Sequence, residues 1–307
     1  MTVASDPMRV DASVATVRRQ FSARAARFAR HDAVVRETGR RLIERLEVIR
    51  HPVQRILDLG CGSGACREAL LERFPRARWL GIDLSEAMLR AGRPAQRSWL
   101  RRLAQWPVEA AARRERPDAG LRVCASAERL PLADASVDLV FSNLMLHWHP
   151  EPHAVVREIA RVLPPGGLVL FSSYGPDTLL ELREACRQAL AQAAPMPYVD
   201  MHDLGDMLVE AGFEAPVMEA EVLTLTYRDP LSLVREVRGL GGNPRNDRPR
   251  ALPSGRRARA LLQALERGAD AQGRIGLRFE IVIGHGWRAA PRVPRESRIA
   301  LPAPRTG

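Results

Sequence analysis

The run Arg55-Ile56-Leu57-Asp58-Leu59, followed at once by Gly60-Cys61-Gly62-Ser63-Gly64, constrains this chain more than any other feature. An apolar β-type run that feeds three glycines at alternate positions reads as a strand entering a tight turn. Glycine takes positive φ without steric cost, and without a Cβ it lets a ligand approach the backbone closely. A helical stretch, Ala65–Phe74, follows, and the next apolar run, Arg78–Asp83, ends Leu80-Gly81-Ile82-Asp83 and leads into Leu84-Ser85. Asp83 stands nineteen residues beyond Gly64, the separation at which an acidic side chain at a strand end reaches ribose hydroxyls.

The same alternation continues downstream. Short apolar runs at Leu121–Ala125, Val137–Ser142 and Gly167–Ser173 are separated by helical stretches from Ser85 and over His153–Leu163. Strand and helix alternating at this spacing predict a parallel sheet covered on both faces. Two later strands are expected at Val222–Tyr227 and Leu277–Ile283, with a helix over Arg256–Glu266. Ahead of the first strand, Val14, Val17, Phe21 and Phe28 form one apolar stripe, and Val34, Val35, Leu42, Leu46 and Ile49 form another. Two helices are therefore expected before Pro52 ends the run. The expected organisation is a helical flap over residues 1–51 and a main domain over 52–287. Helical lid insertions fall at about 198–221 and 228–276, and a disordered, proline- and arginine-rich tail over 288–307. The segments Arg93–Gly120, with Trp99 and Trp106, and Gly241–Ser254 read as inserted or loose.

Composition excludes some classes. In 307 residues no apolar stretch is long enough for a spanning helix, and Met1–Arg18 lacks the apolar core of a secretory signal. Cys61, Cys66, Cys124 and Cys186 form neither a C-x-x-C pair nor a ligand cluster, so free thiols in a reducing cytoplasm are expected and no metal. The formal charge is +11, yet the chain has no lysine. A compositional arginine bias therefore inflates the basic count. The residual field favours an acidic partner or an anionic substrate and says no more than that.

The glycine spacing is G-x-G-x-G, one residue shorter than the dinucleotide fingerprint G-x-G-x-x-G. With Ser126-Ala127-Glu128-Arg129-Leu130-Pro131, Val137–Asn143 and Pro164-Pro165-Gly166-Gly167, it resembles class I S-adenosylmethionine methyltransferases from Arg55 to Ser173. That resemblance implies an α/β, Rossmann-like fold with a seven-stranded, mostly parallel sheet, N-terminal helices and a helical lid insert. It also implies S-adenosylmethionine as methyl donor, held at Asp58, Gly60, Gly62, Gly64, Asp83, Leu84, Ala127, Glu128 and Asn143. Ser142-Asn143-Leu144-Met145 lacks the Asn/Asp-Pro-Pro-aromatic run of enzymes that methylate nucleic-acid amines.

Further segments narrow the family. Arg18–Ala25, Ser142–Trp148, Asp177–Arg183, Asp200–Asp206, Ala211-Gly212-Phe213 and Arg238-Gly239-Leu240-Gly241 together resemble the malonyl-[acyl-carrier protein] O-methyltransferases of biotin synthesis. The resemblance spans Val17 to Trp287. It implies transfer of a methyl group to the free carboxylate of malonyl-[acyl-carrier protein], or malonyl-coenzyme A, with an acidic carrier protein as partner and no membrane. The family often has a tyrosine where this chain has Phe28, and its connection between the second and third strands is shorter than Arg93–Gly120. An anionic substrate calls for a cationic or polar group in the pocket. Arg235 and Arg238 are the first candidates, then His147, Arg183 and His202, with Trp148 and Tyr174 as pocket walls. His149 and His153 are expected to cap helices or face solvent. The late motifs also resemble complex I assembly factors that hydroxylate an arginine. That activity stays open as an alternative, as does methyl transfer to another small molecule or, given Arg113-Arg114 and Arg256-Arg257, to nucleic acid.

Overall fold

The computed structural model describes residues 13–92, 120–190, 196, 198–241 and 255–290. Residues 291–307 of the tail expected over 288–307, most of the Arg93–Gly120 insert and residues 242–254 lie outside the described residues. In chain order the elements begin with α1 (Val14–Arg24), a 3-10 turn (Phe28–Arg30) and α2 (Ala33–Val48). The glycine-turn unit follows as β1 (Arg55–Leu59), α3 (Arg67–Arg73), β2 (Arg78–Asp83) and α4 (Glu86–Ala91). Then come β3 (Leu121–Cys124), β4 (Leu139–Ser142), a 3-10 turn (Leu146–Trp148), α5 (Pro152–Val162) and β5 (Leu168–Tyr174). The chain continues with α6 (Leu180–Leu190), α7 (Met201–Glu210), β6 (Phe213–Tyr227), α8 (Pro230–Gly239), α9 (Gly255–Arg267) and β7 (Ile275–Arg288).

The strands form one seven-stranded sheet in the order β3-β2-β1-β4-β5-β7-β6, parallel except for β7, which runs antiparallel to both its neighbours. All of β4 and β5 is buried, as expected for strands covered on both faces. Ile56, Leu139, Leu168 and Leu170 point to one face, where Leu42 and Leu46 of α2, Leu70 of α3 and Leu265 of α9 pack. Leu57, Leu59, Val140 and Val169 point to the other, under Val155 and Ile159 of α5 and Leu204 and Leu208 of α7. The i, i+4 series Val34, Thr38, Leu42, Leu46 is the buried stripe of α2. That helix is also tied to the edge strand, where Arg45 Nε donates to Glu219 at 2.5 Å and Arg41 pairs with Glu221.

The lid expected over 198–221 is corrected. Within it, α7 buries Leu204, Met207 and Leu208 against the sheet, and residues from Phe213 onward are the first half of β6. Strand β6 is an edge strand that alternates exposed with partly buried positions, so Glu214, Glu219 and Glu221 give it a polar sequence. At the other end, Arg288, assigned to the tail, belongs to β7 and pairs with Phe213.

Candidate active site

The glycine turn and the carboxyl ends of β1 to β4 line a cavity that is partly open to solvent. Its outer wall is the apolar stripe of the flap, with Val14, Val17, Phe21 and Phe28 all lining it. That stripe faces the cavity because the chain breaks between α1 and α2 and wraps the site. Phe21 packs edge-on to Trp148 at 5.1 Å and lies 6.1 Å from Phe28.

Gly60, Gly62 and Gly64 all have positive φ. At Gly60 a Cβ would lie 2.3 Å from Met145 Cγ, so the turn fits only when that position is bare. The amides of Gly60 and Cys61 donate to Ile82 O at 2.7 and 3.1 Å, which closes the turn onto the end of β2. Asp83 is fixed by two amides, Gly62 N–H to Oδ2 and Ser85 N–H to Oδ1, each at 2.8 Å. Burial raises its pKa, and those two donors oppose the shift. Asp58 is buried at the end of β1, accepts from Trp79 Nε1 at 3.3 Å, and is pushed up to about 7 chiefly by burial.

Asp58, Gly60, Gly62, Asp83, Leu84, Ala127 and Asn143 line the cavity; Gly64 and Glu128 do not. Gly64 is turned toward the Arg122 guanidinium, 2.9 Å from where its Cβ would be. Glu128 accepts from Ser126 Oγ and pairs with His149 Nε2 at 2.7 Å, fixing the loop after β3 from outside the cavity. His149, expected to cap a helix or face solvent, is buried in that pair and lines the cavity, and its Nδ1 accepts from Glu151 N–H, just ahead of α5, at 3.1 Å. Asn143 donates to Val35 O at 2.8 Å and accepts from Ser172 Oγ at 2.9 Å, stapling α2 to β4 and β5.

The substrate candidates divide differently. Trp148 and Tyr174 line the cavity, whereas Arg235, Arg238, Arg183, His147 and His202 do not. Arg235 and Arg238 are exposed on α8, His202 is exposed on α7, and Arg183 donates to Pro176 O. His147 is buried against the Tyr174 ring at 4.4 Å, accepts from Tyr174 N–H at 3.4 Å, and is pushed down to about 3 by burial. It is therefore neutral and contributes no charge. The one arginine that lines the cavity, among the described residues, is Arg18 on α1. It also borders an outer groove with Arg19 and Arg90, so it stands where the cavity opens. Its signal in the sequence was its place in Arg18–Ala25, ahead of Phe21 on the same helix.

The Arg238–Gly241 segment forms the seam between lid and flap. Gly239 abuts the His31 ring, 2.2 Å from where a Cβ would stand, and Gly241, at φ 140°, abuts Trp148 at 2.6 Å. His31 Nδ1 pairs with Glu236 at 2.7 Å, Arg24 Nε donates to Arg238 O at 2.6 Å, and Leu240 closes the cavity between them.

A family model described as a methyltransferase domain matches residues 57–171. Among solved structures, the YcgJ protein of Bacillus subtilis superposes with a TM-score of 0.54 at 17% identity, covering 83% of this chain and 99% of that one. At that identity the likeness is one of fold. Among curated proteins, the malonyl-[acyl-carrier protein] O-methyltransferase of Methylovorus sp. is 37% identical over 289 residues, 94% of this chain and 91% of that protein. The protein of the same name from Halorhodospira halophila is 40% identical over 88% of this chain and 86% of its own length. This chain belongs to the malonyl-[acyl-carrier protein] O-methyltransferase family. It is an S-adenosylmethionine-dependent O-methyltransferase. In this member of the malonyl-[acyl-carrier protein] O-methyltransferases, Phe28 gives the cavity wall a ring without a hydroxyl, and the tyrosine on the cavity is Tyr174 from β5.

Proposed function

We propose that this protein methylates the free carboxylate of malonyl-[acyl-carrier protein], giving the methyl ester that primes pimeloyl synthesis for biotin. The observation that carries this is the pairing, in one cavity, of buried carboxylates along the glycine turn with Arg18 at the mouth. The backbone of Gly60 and Gly62 accepts the methyl donor, whose ribose lies at Asp83 and Leu84 and whose adenine lies by Ala127. Asp58 meets the cationic aminoacyl end, and Asn143 holds the wall between them. A sulfonium-bound methyl group is already activated, so the substrate carboxylate needs alignment rather than a general base or a metal.

Arg18 supplies a planar fork for the substrate carboxylate, and Phe21, Phe28 and Trp148 keep water from it. Neutral His147, stacked on Tyr174, supports the aromatic wall from behind. The substrate enters as a thioester on an acidic carrier protein in the cytoplasm, without recourse to a membrane or nucleic acid. Coenzyme A serves as a smaller carrier of the same acyl group.

The test is direct. Purified protein given S-adenosylmethionine and malonyl carrier protein yields a product heavier by one methylene in intact-mass analysis, and an unchanged mass refutes the assignment. Arg18→Ala raises KM for the malonyl thioester about tenfold, as expected for losing one charge-assisted hydrogen bond.

A further inference from the structure

We infer that Asp32 is a second carboxylate of the methyl-donor site and that, with Asp58, it holds the α-ammonium of the donor's aminoacyl end. This rests on the cavity being the S-adenosylmethionine site. Asp32 occupies the position before the first turn of α2, where an aspartate ordinarily accepts a backbone N–H of its own helix. Elsewhere in this protein such residues do so: Ser13 caps α1, Ser85 caps α4, Asp200 caps α7 and Asp229 caps α8. The Asp32 side chain makes no such bond. It is only 8% exposed, it lines the cavity, and its Oδ1 has no hydrogen-bond partner among the described residues. Arg36 Nε comes to 3.1 Å of that oxygen, from a side chain that is itself 67% exposed, without hydrogen-bond geometry. An ionised carboxylate accepts at several lone-pair positions, so Asp32, although ion-paired with Arg36, keeps capacity for a second cationic donor from the cavity.

The topology says which part of the ligand that is. Along the sheet, Asp83 ends β2 and Ala127 follows β3, which is the nucleoside side of the cavity. Asp58 ends β1 and Asn143 follows β4, its neighbour on the other side. Asn143 donates to Val35 O at 2.8 Å and lies 3.9 Å from Cys66 Sγ, whose thiol is raised by burial and, next, by the Asp58 charge. Val35 is one turn beyond Asp32 on the same face of α2, and both line the cavity. Asp32 therefore stands toward the β1–β4 end of the cavity, which Asp58 also lines and where the proposed function places the aminoacyl group. An ammonium has three N–H donors, enough for two carboxylates.

Calorimetric binding of two ligands to the full-length protein tests this. S-Adenosylhomocysteine carries the ammonium, while 5′-methylthioadenosine keeps the nucleoside and the sulfur but has no aminoacyl group. Asp32→Asn is expected to raise Kd for S-adenosylhomocysteine about tenfold or more, as for one lost charge-assisted hydrogen bond, and to change Kd for methylthioadenosine less than about twofold. Retained methylthioadenosine binding also shows that the variant is folded. Equal losses for both ligands, or no loss for S-adenosylhomocysteine, overturn the inference while leaving the cavity assignment standing. Wild-type protein that binds neither ligand overturns both.

Discussion

Asp58 illustrates how one residue couples the site to pH. Its carboxyl titrates near 4 in an unfolded chain and at about 7 when buried at the end of β1. Between those values the folded chain keeps a proton that the unfolded chain has lost. The ligand-free protein therefore loses stability as pH rises from about 4 to about 7, and the loss levels off above that. A cationic aminoacyl group reverses the preference by favouring the carboxylate. Binding of S-adenosylhomocysteine at about pH 6 is thus expected to release up to one proton, and its affinity to rise with pH toward about 7. Calorimetry in buffers of different ionisation enthalpy measures the release, and Asp58→Asn should remove more than half of it. An unchanged release in that variant would assign the proton elsewhere. That Asp58 and Asp83 line the cavity was legible from sequence, because a strand end beside a glycine turn fixes where each carboxylate stands. Arg18 was not singled out, because among 47 arginines its place in the Arg18–Ala25 segment carries a resemblance but does not say which arginine meets a cavity.

Elements with a clear period were read closely. Strand β2 has the expected bounds, Arg78–Asp83, and α5 and α9 fall within a residue of expectation at either end. Strand β6 was read only from Val222, since the acidic residues of its first half obscure the alternation that its exposed face permits. The segment Arg238–Gly241 was read for its charge, but its glycines carry the structural meaning. They allow α8 to close on His31 and Trp148, so the lid meets the flap backbone-first and Arg238 is left facing solvent. A side chain at Gly239 has to displace the His31 ring and with it the His31–Glu236 pair. Gly239→Ala is accordingly expected to cost about 1–3 kcal/mol, the usual range for overpacking. Denaturant unfolding measures that cost, and hydrogen exchange should show protection lost at 28–31 while β1 and β4 keep theirs. Unaltered exchange at 28–31 would mean that the seam does not depend on this contact.

For the whole molecule, the +11 charge matters through its distribution. Some arginines are neutralised locally: Arg40 and Arg41 by Glu37, Arg45 by Glu219, Arg161 by Glu158 and Asp134, Arg187 by Glu184. Others remote from the cavity, such as Arg76, Arg129 and Arg157, are exposed with no ion pair to a described acidic residue. Around the flap and lid, Arg18, Arg19, Arg27, Arg30, Arg235 and Arg238 are exposed, and no ion pair joins them to a described acidic residue. The unpaired charge on the elements that enclose the cavity adds its own share of the field met by whatever delivers the substrate. Such a field acts mainly on encounter and is screened over roughly 10 Å at about 0.1 M salt. For an acidic carrier protein, KM should therefore rise about tenfold between about 50 and 300 mM salt, while kcat at saturation changes little. Malonyl-pantetheine, which presents the same carboxylate without the protein's charge, should show a much flatter dependence. Parallel salt curves for the two substrates would mean that the arginines around the cavity recognise the malonyl group alone, and a flat curve for both would leave the flap charge without a role in delivery.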